Sequence, residues 1–209
     1  MRQTISKTEQ AVLERLTYLV GSPEIIAGMN ILPARPPFDR EVLEFWSHVS
    51  QALLAQRTEF PDVATFAFWI RKASIQSLRT RFLQEDGNIR LGRGMAFHVA
   101  PSNVPVNYAY SLAAGLLTGN ANLVRLPTKR FPQAEWIAGK IHAVLENYPA
   151  LRPYVCLVRY DRDREINDLL SRLADTRIVW GGDATIAELR KSPLAPRAGE
   201  ITFADRCSL

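Results

Sequence analysis

From about residue 89 onward the chain alternates short apolar, β-rich runs with longer amphipathic ones, and this alternation restricts the fold more than any other feature. The runs "MAFHVA", "NLVRLP", "YVCLVRY", "TRIVWGG" and "EITFAD" are separated by stretches of helical spacing at 104–118, 133–147, 164–174 and 184–191. Near-continuous apolar strands divided by helices are what a parallel sheet buried on both faces demands. Five such strands joined by right-handed crossovers predict an α/β fold, a Rossmann-like parallel sheet with helices on both faces.

The first 88 residues follow a different pattern. Val42, Phe45, Trp46, Val49 and Leu53 recur at helical spacing and predict an amphipathic helix over 41–55. A second helix is predicted from Pro61 or Asp62 through Phe82, with Val63, Phe66, Ala67, Ile70 and Leu78 on one stripe and a stop at "EDGN" (85–88). "LPARPPF" at 32–38 forbids regular structure. The expected organisation is therefore an N-terminal arm and helical segment over 1–88, then a Rossmann-like domain over 89–209. A chain of 209 residues, 47% hydrophobic, has the material for one sizeable core with such an appendage.

The N-terminal "MRQTISKTEQAVLERLTYLV" is interrupted by charge throughout, and no run reaches spanning length, so a cytoplasmic protein without a membrane span is expected. The net charge of +5 raises nucleic acid as a partner. Its basic residues, however, are scattered along solvated helix faces, and an anionic small ligand accounts for so modest an excess; nucleic acid is not expected. Cys156 and Cys207 have neither zinc nor redox spacing, and Cys156, inside an apolar run, reads as an inert buried thiol. No metal site is expected.

Ligands of such sheets bind beyond the carboxyl ends of the strands, so the strand-to-helix turns are the candidate site. In "APSNVP", Pro101 ends a strand, Ser102 or Asn103 is placed to cap the next helix, and Pro105 suits a first turn. That helix is expected to stop at Gly119-Asn120. In "VWGGDAT", Gly181 and Gly182 permit close backbone approach, with Asp183 a good helix cap, and Trp180 reads either as a pocket wall or as core. His98 reads as a hydrogen-bonded core histidine. There is no GxxxxGK, and "GRGMAF" at 92–97 lacks the third glycine of GxGxxG and precedes a strand.

"HVAPSNVPVNYAYSLAAGLLTGNANLVRLPTKRFPQ" and "IVWGGDATIAELRKSPLAPRAGEITFADRCSL" resemble acyl-CoA reductases of the LuxC type, the reductase component of the bacterial bioluminescence fatty-acid reductase. More distantly, "PSNVP", "GLLTGNANLVRLP" and "WGGD" are similar to the corresponding segments of the aldehyde dehydrogenase superfamily. The resemblance implies reduction of a fatty acyl thioester to an aldehyde by NADP(H), through a cysteine thioester on the enzyme. It implies that Asn103 donates its amide to the oxyanion, beside its reading as a helix cap. Cofactor-binding positions implied are Pro101, Ser102, Arg125, Thr128, Lys129, Trp180, Gly181 and Gly182. Arg125 stands where a ribose-binding lysine is usual, and its planar fork with Lys129 or Arg130 favours a 2′-phosphate, against the plainer reading of a basic strand end in solvent.

The nucleophilic cysteine of the family belongs to a catalytic domain beyond "EITFADRCSL", and Phe203 or Ala204 falls where the superfamily carries a glutamate. The resemblance thus covers the cofactor-binding part of such a reductase. It is expected to be inactive alone and to work with a separate catalytic domain or as a homo-oligomer. The alternative is an NADP(H)-binding partner subunit or module without catalysis of its own.

Overall fold

The computed structural model describes residues 5–55, 59–83 and 88–204. Six strands form one sheet: β1 (Thr17–Val20), β2 (Met95–Val99), β3 (Ala121–Leu126), β4 (Val155–Arg159), β5 (Thr176–Trp180) and β6 (Gly199–Phe203), in the order β1-β4-β3-β2-β5-β6. The five strands expected from the sequence are all present and mutually parallel. Every residue of β2 and β4 is buried, as a strand covered on both faces must be.

The sixth strand was not anticipated. "TYLV" at 17–20 adds to the edge antiparallel to β4, with Thr17 opposite Arg159 and Tyr18 opposite Val158. The segment read as arm and helix thus contributes directly to the sheet. Gly21 turns the chain away at φ +91°, and a Cβ there would lie 2.8 Å from Cys156 Sγ.

Nine α-helices, and a short 3-10 turn at Arg152–Tyr154, accompany the strands among the described residues. Before β2 lie α1 (Lys7–Leu13), α2 (Pro23–Met29), α3 (Arg40–Leu54), α4 (Pro61–Trp69) and α5 (Lys72–Phe82). The connections between strands supply α6 (Asn107–Leu117), α7 (Pro132–Leu145), α8 (Arg164–Leu173) and α9 (Asp183–Arg190). Right-handed crossovers put α6 and α7 on one face of the sheet and α8 and α9 on the other. Helix α3 packs across α6 and α7, burying Phe45, Trp46 and Val49 completely. Asp39 starts α3 by accepting the Glu41 N–H at 2.9 Å.

The single helix expected over 62–82 is two. Ile70 and Ile75 are both buried, at 0% and 1% exposure. Five residues apart in one straight helix they would point about 140° from each other. A break at Ile70-Arg71, where Arg71 has ψ 149°, turns both toward the core. Of the expected stop at "EDGN", residues 85–87 lie outside the described residues.

The proline-rich arm has no regular structure, as expected, but it is pinned by backbone hydrogen bonds. Arg35 N–H donates to the Gly119 carbonyl at 3.0 Å and Phe38 N–H to that of Leu117 at 2.7 Å, while the Tyr154 hydroxyl donates to the Pro33 carbonyl at 2.9 Å. Gly119, at φ +87°, ends α6 as expected, and a Cβ there would lie 2.0 Å from the Arg35 carbonyl oxygen. No helix among the described residues is long and apolar enough to cross a membrane.

Candidate cofactor and active site

The strand order reverses at β2: β3 lies on one side of it and β5 on the other. Crossovers on opposite faces leave a crevice at that point, beyond the carboxyl ends of β2 and β5. A cleft of about 600 Å³ opens there. The turn after β2 contributes Pro101, Ser102 and Asn103, the end of β3 contributes Arg125 and Thr128, and the turn after β5 contributes Trp180, Gly181 and Gly182. Eight of the nine positions implied by the resemblance therefore meet in one cleft. Lys129 is the exception: it is exposed, outside this lining, with its ammonium 4.8 Å from the Phe131 ring centroid.

Asn103 is exposed and does not cap α6, and neither does Ser102. A turn intervenes, closed by the Asn107 N–H donating to the Val104 carbonyl at 3.2 Å. The helix begins at Asn107, with Val106 as a cap that uses no side chain. Val106 is 2% exposed, and burying it in the core is what delays the helix. The Asn103 amide thus remains directed to no capping role. At α9 the cap is Gly182, not Asp183, which stands one place later in the first turn.

Arg125 is half-buried. Its guanidinium carbon lies 4.5 Å from the Tyr160 ring centroid, and Nη2 donates to the Tyr160 carbonyl at 3.3 Å. Its Nε is buried and has no hydrogen-bond partner among the described residues. A buried donor without an acceptor costs about 1–3 kcal/mol. Gly181 serves close approach: a Cβ there would already crowd Thr185 at 3.2 Å.

The sequence reading missed Asp161, Arg162, Thr185 and Phe203 as cleft residues. Asp161 and Arg162 follow β4, and their signal was positional: "RYDRDRE" is also a strand-to-helix turn at the carboxyl edge. A second cavity of about 550 Å³ between α8 and α9 shares Arg125, Arg162 and Thr185 with the cleft, and Arg164 and Lys191 line its far side. The two linings together carry Arg125, Arg162, Arg164 and Lys191 against Asp161, Asp163 and Glu188, with Lys191 paired to Glu188 at 2.6 Å. Arg177 underpins this region, being 2% exposed. Its Nη1 donates to Ser171 Oγ and to the Leu189 and Ser192 carbonyls at 2.8–2.9 Å, and Nε and Nη2 donate to Glu200 at 2.8 and 2.6 Å.

Cys156 does not reach this cleft. Cys156 is fully buried in β4, and burial pushes its thiol well up. Cys207 lies outside the described residues. His98 is buried at 1% and accounted for by Ser111 and Asn122, as a core histidine should be.

The fold is shared with solved structures of several aldehyde dehydrogenases. The 1-pyrroline-5-carboxylate dehydrogenase of Thermus thermophilus superposes with a TM-score of 0.63 at 12% identity, over 96% of this chain and 43% of that one. The lactaldehyde dehydrogenase of Escherichia coli gives 0.60 at 15%, over 87% and 42%. The NAD-dependent benzaldehyde dehydrogenase of Corynebacterium glutamicum gives 0.58 at 13%, over 82% and 42%. The chain thus spans less than half the length of these neighbours. No curated protein sequence matches it. The acyl-CoA reductase (LuxC) family matches residues 71–209, and the chain belongs to that family.

Proposed function

We propose that this chain is the cofactor-binding part of a reductase that converts a fatty acyl thioester to an aldehyde with NADPH. The observation that carries the reading is the meeting of "PSNVP" and "WGGD" at the sheet's switch point, with Arg125 in the lining of the same cleft. The residues suit a nicotinamide dinucleotide: a glycine pair for backbone approach, an arginine in the lining, and an adjoining cavity between α8 and α9 that shares Arg125, Arg162 and Thr185. Such a cofactor, when bound, supplies a hydride.

The chain's own residues bind and orient. Arg125, with Arg162 beside it in the lining, reads the 2′-phosphate; Thr128 adds a hydroxyl donor at the same strand end. Asp183, in the first turn of α9, repels phosphate, so the glycine turn takes the uncharged nicotinamide end and the phosphates lie toward Arg125. Asn103 offers its amide N–H groups where negative charge develops on the thioester carbonyl oxygen, a preorganised dipole worth about 3–4 kcal/mol in comparable sites. Cys156 is sealed away from that position, so the acylated thiol belongs to residues beyond those described.

Titration calorimetry tests this. NADPH is expected to bind about tenfold to a hundredfold more tightly than NADH, the range for one charge-assisted contact of roughly 1.5–3 kcal/mol. Arg125→Ala should remove most of that difference. Equal affinities in the wild type would sink the phosphate assignment, and no binding of either would sink the reading itself.

A further inference from the structure

A buried polar chain runs from the middle of the sheet up to the cleft, and its hydrogen bonds have one direction. Asn122 Nδ2 donates to the Asn120 carbonyl at 2.7 Å, which orients the amide and leaves Oδ1 facing His98 Nε2 at 3.0 Å. An amide oxygen only accepts, so Nε2 carries the imidazole proton and Nδ1 is an acceptor. The Ser111 hydroxyl, 2.8 Å from Nδ1, therefore donates to it. Its oxygen in turn accepts the Trp180 indole N–H at 3.1 Å. Room for this arrangement comes from Gly115, where a Cβ would lie 1.9 Å from Asn122 Oδ1 and 3.1 Å from His98 Cε1.

The chain ends on the cleft wall. Trp180 is half-buried and stacks on Phe203 with ring centroids 3.8 Å apart and planes 8° from parallel. Phe203 is 44% exposed, and both rings line the cleft beside Ser102 and Asn103. Freed from Ser111, the indole has rotamers that break this stack and alter the cleft's width at that point.

We propose that His98 and Ser111 are positioning residues for the cleft: through the indole N–H they hold Trp180, and with it Phe203, as a flat wall on which the nicotinamide ring packs. The proposal rests on the function inferred above. A preset wall lowers the ordering cost that binding would otherwise incur. Burial lowers the His98 pKa to about 4, which keeps the Nδ1 acceptor in place at neutral pH.

The test combines indole hydrogen exchange with dinucleotide affinity. The Trp180 N–H resonance of ¹⁵N-tryptophan-labelled chain is assigned by its loss in Trp180→Phe. Ser111→Ala is expected to speed exchange of that proton at least tenfold and to weaken NADPH binding about tenfold. Ser50→Ala removes a buried hydroxyl that donates to the Ala67 carbonyl between α3 and α4, and should change neither. On a Trp180→Phe background, which keeps a flat ring without the N–H, Ser111→Ala should have no further effect on affinity. If Ser111→Ala fails to fold, Ser111→Cys, nearly isosteric but a much weaker hydrogen-bonding group, takes its place. Unchanged affinity in the serine variant of a chain that binds NADPH would overturn this inference alone, as would an equal loss on the phenylalanine background. A wild type that binds no dinucleotide would overturn the function reading and this inference with it.

Discussion

Lowering the pH should destabilise the fold through His98 before the carboxylates contribute. The imidazole is 1% exposed, and its hydrogen-bonding neighbours, Ser111 and Asn122, are uncharged, so nothing offsets the cost of a buried imidazolium. Burial is the dominant cause that takes its pKa from an ordinary 6.5 to about 4, against a smaller opposing effect of the Asn122 hydrogen bond. Between those values the unfolded chain holds a proton that the folded chain refuses, so stability falls as pH falls. The slope approaches about 1.4 kcal/mol per pH unit inside the window, and the whole loss amounts to about 3 kcal/mol, a large share of a typical domain's stability. Above about pH 7 the contribution is fully present, and below about pH 4 no more is lost through this residue. Urea unfolding of the wild type and of His98→Asn between pH 7.5 and 5 isolates the effect. The asparagine does not titrate but keeps an oxygen to accept from Ser111. The wild type should lose stability across this range and the variant should show a distinctly flatter profile. Parallel profiles would refute the reasoning.

Three further outcomes follow from particular contacts. Arg177→Met strips Glu200 and three buried acceptors of a partner and should cost about 3–5 kcal/mol in urea unfolding, less whatever Arg190 retains by its own 2.7 Å bond to Glu200. Gly119→Ala places a side chain at φ +87° and drives a Cβ into the Arg35 carbonyl; the backbone conformation alone costs about 1–2 kcal/mol, and thermal melts should show a larger total. Asn103→Ala removes no helix cap and should shift stability by less than about 0.5 kcal/mol. In a complete, active reductase the same change should lower turnover about a hundredfold while leaving NADPH affinity nearly unchanged.

The parallel sheet was legible because its strands are nearly continuous apolar runs, a pattern only double-sided burial explains. Strand β1 was not: at four residues, on an edge, it follows a charged helix, and its only marks are "TYLV" and the Gly21-Ser22-Pro23 turn. The break in the 61–82 helix depended on Ile75, which lies off the stripe that suggested one helix; only packing against α3 requires it inward. At the site, Pro, Asn and Gly at strand ends located two of the walls, since backbone geometry restricts those residues most. Asp161 and Arg162 stayed hidden among ordinary surface charges until β4 was seen to end beside the cleft. The capping expectation at Asn103 failed for a tertiary reason, the insertion of Val106 into the core, which no local pattern reveals. The network from His98 to Trp180 joins residues up to 82 positions apart, and neither spacing nor composition marks it.

The central claim is that the cleft at the ends of β2, β3 and β5 holds a nicotinamide dinucleotide. A ¹H–¹⁵N correlation spectrum of the chain titrated with NADPH tests it most directly. The expected result is saturable shifts confined to 99–104, 125–128, 161–162 and 180–185, with the Trp180 indole N–H among the most affected and weaker shifts for NADH. An unchanged spectrum, or shifts centred instead on the separate groove between α1 and residues 193–197, would contradict the claim.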